Sequence, residues 1–338
     1  MTSIKDVSRL AGVSIATVSR VVNGSGPVSE RAVEKVERAI EMLGYAPNAQ
    51  AQSLIKKRSG CVGVMVHRLG NNYYAELLNG IEAEIKAAGY HLLVSTSFFS
   101  ADAERDCLRF LMQRQPDAMI VEPHGLADHE IAELSRRQSP FVVLGRQVDG
   151  VNGHCVSFAN EQGAYLATRH LIECGHRRIA HLASPTITTS SAPRRAGYRR
   201  ALEEAGIVYR PDWVVEADFT EEAAYFIVDQ ALETLLATEP GITALFTTND
   251  NMAAAAMKIM RERDISVPED ISIVGFDDLE IASLLYPGLT TVRQPVLEMG
   301  QAAAHAALRA MGAERAPEQQ PGQFEPRLIR RGTVKTIQ

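Results

Sequence analysis

The sequence predicts an α/β protein in which a head of three helices, built around a helix-turn-helix, precedes a two-lobed body with parallel sheets. The first observation is the stretch LAGVSIATVSRVVNGSGPVS (10–29), where two short helical patterns flank a glycine. The second is the alternation of β-rich runs and amphipathic helices after Cys61. The third is the length of 338 residues, which exceeds what one compact core usually holds.

Helix caps and apolar spacing define the three helices of the head. Ser3, Ser14 and Ser29 are expected to begin them, because a serine hydroxyl accepts from the N–H groups that a helix start leaves unpaired. Gly12 supplies the left-handed turn between the first two helices. The side chains expected to face the core are Ile4, Val7, Leu10, Ala11, Val18, Val21, Val22, Ala32, Val33, Val36, Ile40 and Leu43.

The second helix also carries apolar side chains that point away from this core. Ile15 and Ala16 lie in its first turn, and Arg20 follows one turn later on the same outward face. The second helix of a helix-turn-helix enters the major groove of DNA, where such side chains contact thymine methyl groups and guanine edges. The alternative is that the segment is only a well-capped amphipathic helix.

Charge is distributed unevenly along the chain. The net charge is −6, yet residues 1–60 contain nine Lys/Arg against five Asp/Glu, so the remainder is strongly acidic. A basic head on an acidic body indicates that the head alone contacts a polyanion such as DNA. Chance clustering of solvated charges would give the same count, so only the helix-turn-helix motif distinguishes a DNA-binding head from such clustering.

Composition argues against several classes of protein. No apolar run approaches the ~20 residues that cross a bilayer, and no apolar signal segment begins the chain, so we expect a cytoplasmic protein without a membrane partner. The four cysteines are scattered, which favours reduced thiols over disulfides or a zinc site. We expect His176 in a solvated turn, and we predict neither a metal nor a cofactor.

The body is predicted to contain about ten strands. Eight come from the runs CVGVMV, HLLVSTS, AMIVE, FVVLG, RIAHLAS, WVVEAD, ALFTTN and ISIVGF. Helices are expected over 74–88, 102–114, 161–174, 196–205, 221–237 and 250–263. Because the rhythm breaks near 146–156, two lobes explain the pattern better than one wide sheet. Ligands bind beyond the carboxyl ends of such strands, so we expect a cleft between the lobes.

Polar and aromatic side chains collect where these strands end. They are Asn71, Tyr73, Tyr74, Glu122, Arg146, Ser184, Phe219, Asn249, Asp250, Asp277 and Asp278. Aromatic faces cover C–H patches and polar groups fix hydroxyls, so this set suits a polyhydroxylated ligand. Asp250 is expected to cap the next helix, and Asp277 and Asp278 could be turn residues. They could instead form a paired acid/base site, but the sequence offers no candidate nucleophile or positioned histidine to complete such a site.

The segment IKDVSRLAGVSIATVSRVVNGSGPVSERAVEKVERAIEMLGYAPNAQAQSL resembles, nearly residue for residue, the DNA-binding head of the lactose-repressor/galactose-repressor family of bacterial regulators. The resemblance implies that Ile15, Ala16 and Arg20 read the bases of double-stranded operator DNA. The predicted DNA-binding set from the same segment is completed by Ser14, Thr17, Ser19 and Asn23.

The resemblance identifies the next segment, residues 47–60, as a hinge. Asn48 is expected to cap one or two helical turns, which are too short to be stable alone. In the family this segment folds when the two hinges of a dimer enter the minor groove, and Leu54 matches the residue that wedges between base steps. Lys56 and Lys57 are expected to contact phosphates; the alternative is that they solvate a linker.

The body resembles the same family over essentially all of 61–338 and is similar in architecture to periplasmic sugar-binding proteins. The matching motifs are HLIECGHRRIAHLASP, RRAGYRRALEEAGI, TTNDNMAAAAM, DISIVGFDDLEIASLLYPGLTTVRQP and LIRRGT. By this resemblance, the residues that contact a small effector are Tyr73, Arg194, Phe219, Asn249, Asp277 and Gln294. Glu122 and Arg146 join the set because they lie at strand ends.

Three parts are therefore predicted along the chain. They are a DNA-binding head (1–46), a hinge (47–60) and an effector-binding and dimerisation body (61–338). Lobe 1 is predicted over about 61–159 and 291–320, and lobe 2 over about 160–290 and 321–338. No leucine-rich heptad tail follows residue 330, so we expect a homodimer and no tail-tethered tetramer.

The resemblance implies a transcriptional repressor of a sugar-utilisation operon. It would bind a palindromic operator as a dimer and be released by a small sugar, with the galactose-repressor branch the closest match through NDNMAA and LTTVR. The first alternative keeps the DNA role with a purine, nucleoside or phosphoprotein as effector. The second is an enzyme that acts on a sugar and carries the head as an accessory.

Overall fold

The computed structural model describes residues 2–46, 58–70, 72–98, 100–137, 140–151, 155–186, 188–217, 224–238, 241–313 and 322–337. The chain divides into two compact units, Met1–Cys61 and Val62–Gln338. Within the described ranges, no helix is both long and apolar enough to span a membrane.

In its described residues, the first unit contains three helices, α1 (Ile4–Ala11), α2 (Ile15–Asn23) and α3 (Glu30–Leu43). Ser14 caps α2, since its hydroxyl oxygen accepts from the Thr17 N–H at 3.1 Å. Gly12 makes the turn before it with a φ of 64°, in the left-handed region that glycine adopts without strain. The predicted helix-turn-helix is confirmed.

Side chains from all three helices form the core of the head. Val7, Val18 and Val36 are fully buried. The prediction that Leu10 faces this core is wrong: Leu10 is 48% exposed, and Ala11 takes the inward position one turn after Val7. An apolar side chain at the edge of a helical stripe is therefore a weaker signal than one at its centre.

The Ser14 cap allows a stability test. Ser14→Ala is expected to lower the free energy of unfolding of the head by about 1 kcal/mol, because the first turn of α2 loses its side-chain acceptor. Amide exchange along α2 in the full chain measures the loss. Ser29→Ala is the matched control, since Ser29 is the N-cap of α3 without a side-chain cap hydrogen bond. Equal losses in both variants would contradict the assignment.

The second unit is built from alternating strands and helices. Its strands are β1 (Cys61–Val66), β2 (His91–Thr96), β3 (Ala118–Val121), β4 (Phe141–Gly145), β5 (Cys155–Phe158), β6 (Ile179–Ala183), β7 (Val214–Glu216), β8 (Ala244–Thr247), β9 (Ser272–Asp277), β10 (Thr290–Arg293), β11 (Gln323–Phe324) and β12 (Arg327–Ile329). Its helices are α4 (Asn72–Ala87), α5 (Ala101–Gln113), α6 (Asp128–Arg137), α7 (Asn160–Glu173), α8 (Ser191–Glu204), α9 (Ala224–Thr238), α10 (Asp250–Glu262), α11 (Glu280–Leu284) and α12 (Val296–Ala310). The sequence prediction did not include α6, α11 or α12, and it began α8 at 196.

These strands form two six-stranded sheets, one in each lobe. The order is β11-β5-β4-β3-β1-β2 in lobe 1 and β12-β10-β9-β8-β6-β7 in lobe 2. Pairs such as β1 with β3 and β6 with β8 are parallel, whereas β12 runs antiparallel to β10. The prediction of two lobes with parallel sheets is confirmed, with an antiparallel strand at one edge.

The chain crosses between the lobes at positions that differ from those predicted. β10 pairs with β9 and belongs to lobe 2, so the second crossing follows Arg293 and does not lie at 291. β11 pairs with β5 and belongs to lobe 1, so the last crossing follows Phe324 and does not lie at 321. Both strands are too short to show a hydrophobic period, which is why the sequence misplaced them.

Close packing of α7 against α8 positions one side of the cleft. A Cβ atom at Gly197 would lie 2.8 Å from the Tyr165 backbone nitrogen, so only glycine allows this approach. The buried Tyr198 donates its hydroxyl to the Ile179 carbonyl oxygen at 2.7 Å and ties α8 to β6. The helix that carries Arg194 is thereby held against α7 and β6.

Candidate functional sites on the head and between the lobes

Helix α2 exposes a short apolar and basic surface. Ile15 is 45% exposed, and Ala16 and Arg20 are also exposed, while Val18 of the same helix is fully buried. An exposed isoleucine has lost the stabilisation that burial of its side chain would give, about 1.5–3 kcal/mol. The geometry therefore leaves these three side chains available to a partner, as the sequence predicts for a recognition helix.

The other predicted DNA-contacting residues of the head form hydrogen bonds with one another. The Ser14 and Thr17 hydroxyls lie 2.8 Å apart, and the Asn23 amide donates to the Ser19 hydroxyl at 3.2 Å. These bonds orient four polar side chains of the segment that presents Arg20. Asn48, Leu54, Lys56 and Lys57 lie outside the described residues, and their roles stay predictions.

A cavity of about 280 Å³ lies between the carboxyl ends of the two sheets. Its lining includes six residues of the predicted effector set: Tyr73, Glu122, Arg194, Asn249, Asp277 and Gln294. The sequence interpretation missed other lining residues: His67, Arg68, His124, Phe158, Asn160, Thr188, Thr189 and Asn251. Phe219 was also predicted here and lies outside the described residues. The volume is at the small end for ligand pockets, which roughly begin near 300 Å³.

Arg194 is the centre of a buried network on the lobe 2 side of this cavity. Its Nε donates to Asn160 Oδ1 at 2.8 Å, and its Nη1 donates to the Thr248 carbonyl oxygen. Nη2 donates to Gln294 Oε1 at 3.3 Å, and the guanidinium stacks 3.7 Å from the centre of the Phe276 ring. Each contact comes from a different segment, so the side chain has little freedom to move.

Asp277 faces the same guanidinium from the end of β9. Its Oδ1 lies 3.6 Å from Arg194 Nη2 and, within the described part of the chain, accepts no hydrogen bond. Burial raises the pKa of the Asp277 carboxyl to about 7, against the opposing effect of Arg194. Asp278 leaves the cavity and pairs with Arg331 at 2.7 Å, so the two aspartates do not form a paired acid/base site.

Gln294 joins the two sides of the cavity. It lies at the crossing that follows β10, and its Nε2 donates to the Tyr73 hydroxyl at 3.3 Å on the lobe 1 side. Beyond Tyr73, Glu122 is 5% exposed, and burial raises the pKa of its carboxyl to about 8. In the described residues its Oε2 has no hydrogen-bond partner, so both lobes present a carboxyl oxygen to which a ligand could donate.

Two predicted side chains have other roles. Arg146 does not line the cavity, because its guanidinium binds Asp128 Oδ1 and the Leu126 carbonyl oxygen, both at 2.7 Å. The expected cap at Asp250 is also wrong. Asn249 is the N-cap of α10, with its Oδ1 accepting from the Met252 N–H at 2.8 Å.

Asp250 instead lies inside lobe 2. Its carboxylate accepts from the Leu279 N–H at 2.8 Å and from the Thr291 hydroxyl at 2.6 Å. These bonds hold the turn after β9 and the neighbouring strand β10, so Asp250 supports the wall of the cavity from behind.

Two histidines have structural roles. His176 is fully buried and not in a solvated turn, since its ring nitrogens lie 3.0 Å from the Thr243 hydroxyl and 3.2 Å from the Lys335 carbonyl oxygen. His181 stacks on Phe246 at 4.5 Å between ring centres. Across the described ranges, no group of three potential ligands could hold a metal ion.

The buried carboxyl of Glu122 predicts a pH dependence. Since its folded pKa is raised to about 8, the folded chain keeps a proton that the unfolded chain releases at an ordinary carboxyl pKa. Between these two values the folded state binds more protons, so the free energy of unfolding falls as the pH rises. Glu122→Gln stays neutral and should remove part of this fall, measured by urea unfolding between about pH 5 and about pH 8.5.

Glu130→Gln is the control for this measurement. Glu130 lies in the same lobe, but the Ala127 N–H and Arg105 hold the pKa of its carboxyl below the ordinary value. Its replacement is expected to leave the slope above pH 5 unchanged. Identical slopes in the wild-type chain and Glu122→Gln would show that Glu122 does not titrate in this range.

Comparison with known proteins settles the family. Residues 3–48 match "Bacterial regulatory proteins, lacI family", and residues 168–334 match "Periplasmic binding protein-like domain". The HTH-type transcriptional regulator GalR of Escherichia coli (strain K12) is 35% identical over 336 residues, which cover 99% of this chain and 96% of that protein. The chain belongs to the lacI family of bacterial regulatory proteins. It is a DNA-binding transcriptional regulator.

Other proteins similar to this lacI-family chain include a repressor named PurR and two regulators of solved structure. The HTH-type transcriptional repressor PurR of Vibrio atlanticus (strain LGP32) is 34% identical over 339 residues, which cover 100% of both chains. A solved lac repressor dimer bound to operator and the anti-inducer ONPF has a TM-score of 0.81 at 30% identity, with 99% of each chain covered. The transcriptional regulator CelR–cellobiose complex has a TM-score of 0.71 at 31% identity, covering 98% of this chain and 100% of that one.

Proposed function

We propose that this regulator is a repressor that binds a palindromic operator as a homodimer and is released by a small, galactose-like sugar. The observation that carries the proposal is the buried network around Arg194, which faces a small cavity together with two carboxyl groups. Fixed donors and acceptors of this density match a ligand that carries hydroxyl groups on several sides. The CelR–cellobiose complex shows a similar chain with a sugar in the same fold.

Each group of the network suits one part of a sugar. The Arg194 guanidinium donates to adjacent hydroxyl oxygens, and the free oxygens of Asp277 and Glu122 accept from hydroxyl hydrogens. Tyr73 and Phe158 offer ring surface against C–H patches. An analogue that lacks one of these hydroxyls would leave a buried group unmatched, at a cost of about 1–3 kcal/mol.

The DNA side of the proposal rests on the exposed face of α2. Ile15 and Ala16 supply methyl groups for thymine, and Arg20 supplies a fork of donors for guanine. A two-fold dimer would read two inverted half-sites, and the lac repressor structure, a dimer bound to operator, supports this arrangement for a similar chain.

Release would follow from linked equilibria. A sugar that binds one arrangement of the lobes better than the other shifts the population toward it, by no more than its difference in affinity between the two. If that arrangement binds operator less well, sugar and operator weaken each other by the same factor. The side chains that must discriminate the two arrangements are those that contact both lobes, with Gln294 foremost among them.

The decisive comparison is between sugars and purines. The similarity to PurR at 34% identity makes a purine the second candidate effector. Calorimetric titration of the full chain with D-galactose, other hexoses, disaccharides, hypoxanthine and guanine separates the two. Binding of a sugar and none of a purine supports the proposal, whereas the reverse overturns it. Recovery of the sugar unaltered after incubation would exclude the enzyme alternative.

A further inference from the structure

A buried carboxylate outside the cavity holds the loop that follows β3. Glu104 lies on α5, is fully buried, and does not line the cavity. Its Oε1 accepts from the N–H groups of His124 and Gly125 at 2.7 and 3.0 Å. Its Oε2 accepts from Gly125 and Leu126 at 3.1 and 3.0 Å. Three successive N–H groups therefore point at one carboxylate.

The same loop approaches the backbone of α5 closely at Gly125. A Cβ atom at Gly125 would lie 2.8 Å from the Ala101 backbone nitrogen, at the start of the helix that carries Glu104. The loop is thus fixed on two sides, by hydrogen bonds to the carboxylate and by contact with the helix backbone. Its position determines where the His124 side chain lies.

His124 reaches across to the other lobe. Its Nδ1 lies 3.4 Å from the Thr189 backbone N and 3.3 Å from the Thr189 hydroxyl, in the loop that follows β6. A backbone N–H can only donate, so Nδ1 accepts and the ring proton of the neutral imidazole lies on Nε2. Nε2 in turn is 3.9 Å from Glu122 Oε2 in the cavity. The pair His124–Thr189, here called the interlobe clasp, borders the cavity on both sides.

We propose that Glu104 is a positioning residue for the effector cavity: it fixes the loop that presents His124, and His124 holds the two lobes together by accepting from Thr189. The cavity is the effector site only under the proposed function, on which this inference rests. The interlobe clasp forms in the chain without any ligand. Through the clasp, Glu104, which does not line the cavity, controls how the two lobes meet at the edge of the cavity.

Hydrogen exchange of the full chain without ligand tests the proposal. Glu104→Gln keeps the side-chain size but turns one acceptor into an NH₂ group facing N–H donors. We expect exchange to rise about three- to tenfold both at 124–126 in lobe 1 and at 188–191 in lobe 2. A merely local role for Glu104 would raise exchange at 124–126 alone, and that result would overturn the proposal.

A second variant, His124→Phe, tests whether the contact with Thr189 depends on His124 and can be measured even if Glu104→Gln does not fold. His124→Phe keeps a ring but removes the acceptor, so exchange should rise at 188–191 while Glu104 continues to protect 124–126. Unchanged exchange at 188–191 would overturn the clasp. Glu130→Gln is the matched control, because its carboxylate accepts from the adjacent Ala127 N–H without touching the clasp. Since these measurements use no sugar, their failure is distinct from a failure to bind one.

Discussion

Arg194→Ala is expected to abolish the response to the effector while the chain still binds its operator. The side chain donates hydrogen bonds to Asn160, Thr248 and Gln294, and these would be lost together. We expect effector affinity to fall on the order of 2–4 kcal/mol, because buried polar partners are left unmatched. Since Asp277 would lose the guanidinium that faces it, the body should also lose about 3–5 kcal/mol of unfolding free energy.

The neighbouring arginine is the control for this prediction. Arg195 pairs with Glu216 near the surface, and Arg195→Ala removes the same charge from the same helix turn. Its effects on effector affinity and on stability are expected to stay within about 1 kcal/mol. Calorimetry, urea unfolding and operator binding of both variants give the comparison. An Arg194→Ala chain that binds effector as the wild-type chain does would refute the pocket assignment.

Arg20→Ala is expected to weaken operator binding by about 1–3 kcal/mol and to relax base preference at one symmetric position. The side chain is exposed on the face of α2 that also carries Ile15 and Ala16. It makes no ion pair with another described residue, so its removal should not disturb the head. Operator and random DNA of equal length are compared by fluorescence anisotropy over a range of salt concentrations.

Arg9→Ala controls for the loss of one positive charge from the head. Arg9 lies on α1, 3.4 Å from Asp6, and its side chain is exposed. This variant should affect operator and random DNA alike and leave base preference unchanged. If Arg20→Ala also weakens both DNAs equally, Arg20 contacts phosphates and not bases.

Local features of the structure could be predicted from the sequence. The turn between α1 and α2 follows from Gly12 and Ser14 alone, because both act within four residues of their own position. The strand-end positions of Glu122 and Asp277 follow from the hydrophobic runs before them. Such features depend on hydrogen bonds and side-chain periods that lie within one window of the sequence.

Features that join distant segments could not be predicted in this way. Asn160 meets Arg194 across 34 residues, and His124 meets Thr189 across 65. Arg146 was expected in the cavity because it follows β4. It instead forms an ion pair with Asp128 on α6, a helix that was not predicted from the sequence. The crossings at β10 and β11 were misplaced for a related reason, since pairing with β9 and β5 decides them.

Operator release by a small molecule distinguishes control of this regulator by a sugar from control by a purine. A labelled duplex selected by the full chain from random DNA is bound at half saturation, and D-galactose, other sugars, hypoxanthine and guanine are titrated in turn. A sugar is expected to lower the anisotropy to that of free DNA in the wild-type chain and in Arg195→Ala, whereas Arg194→Ala is expected to stay bound to the duplex. If a purine instead released the operator or tightened its binding, and no sugar had any effect, this result would contradict sugar-induced release.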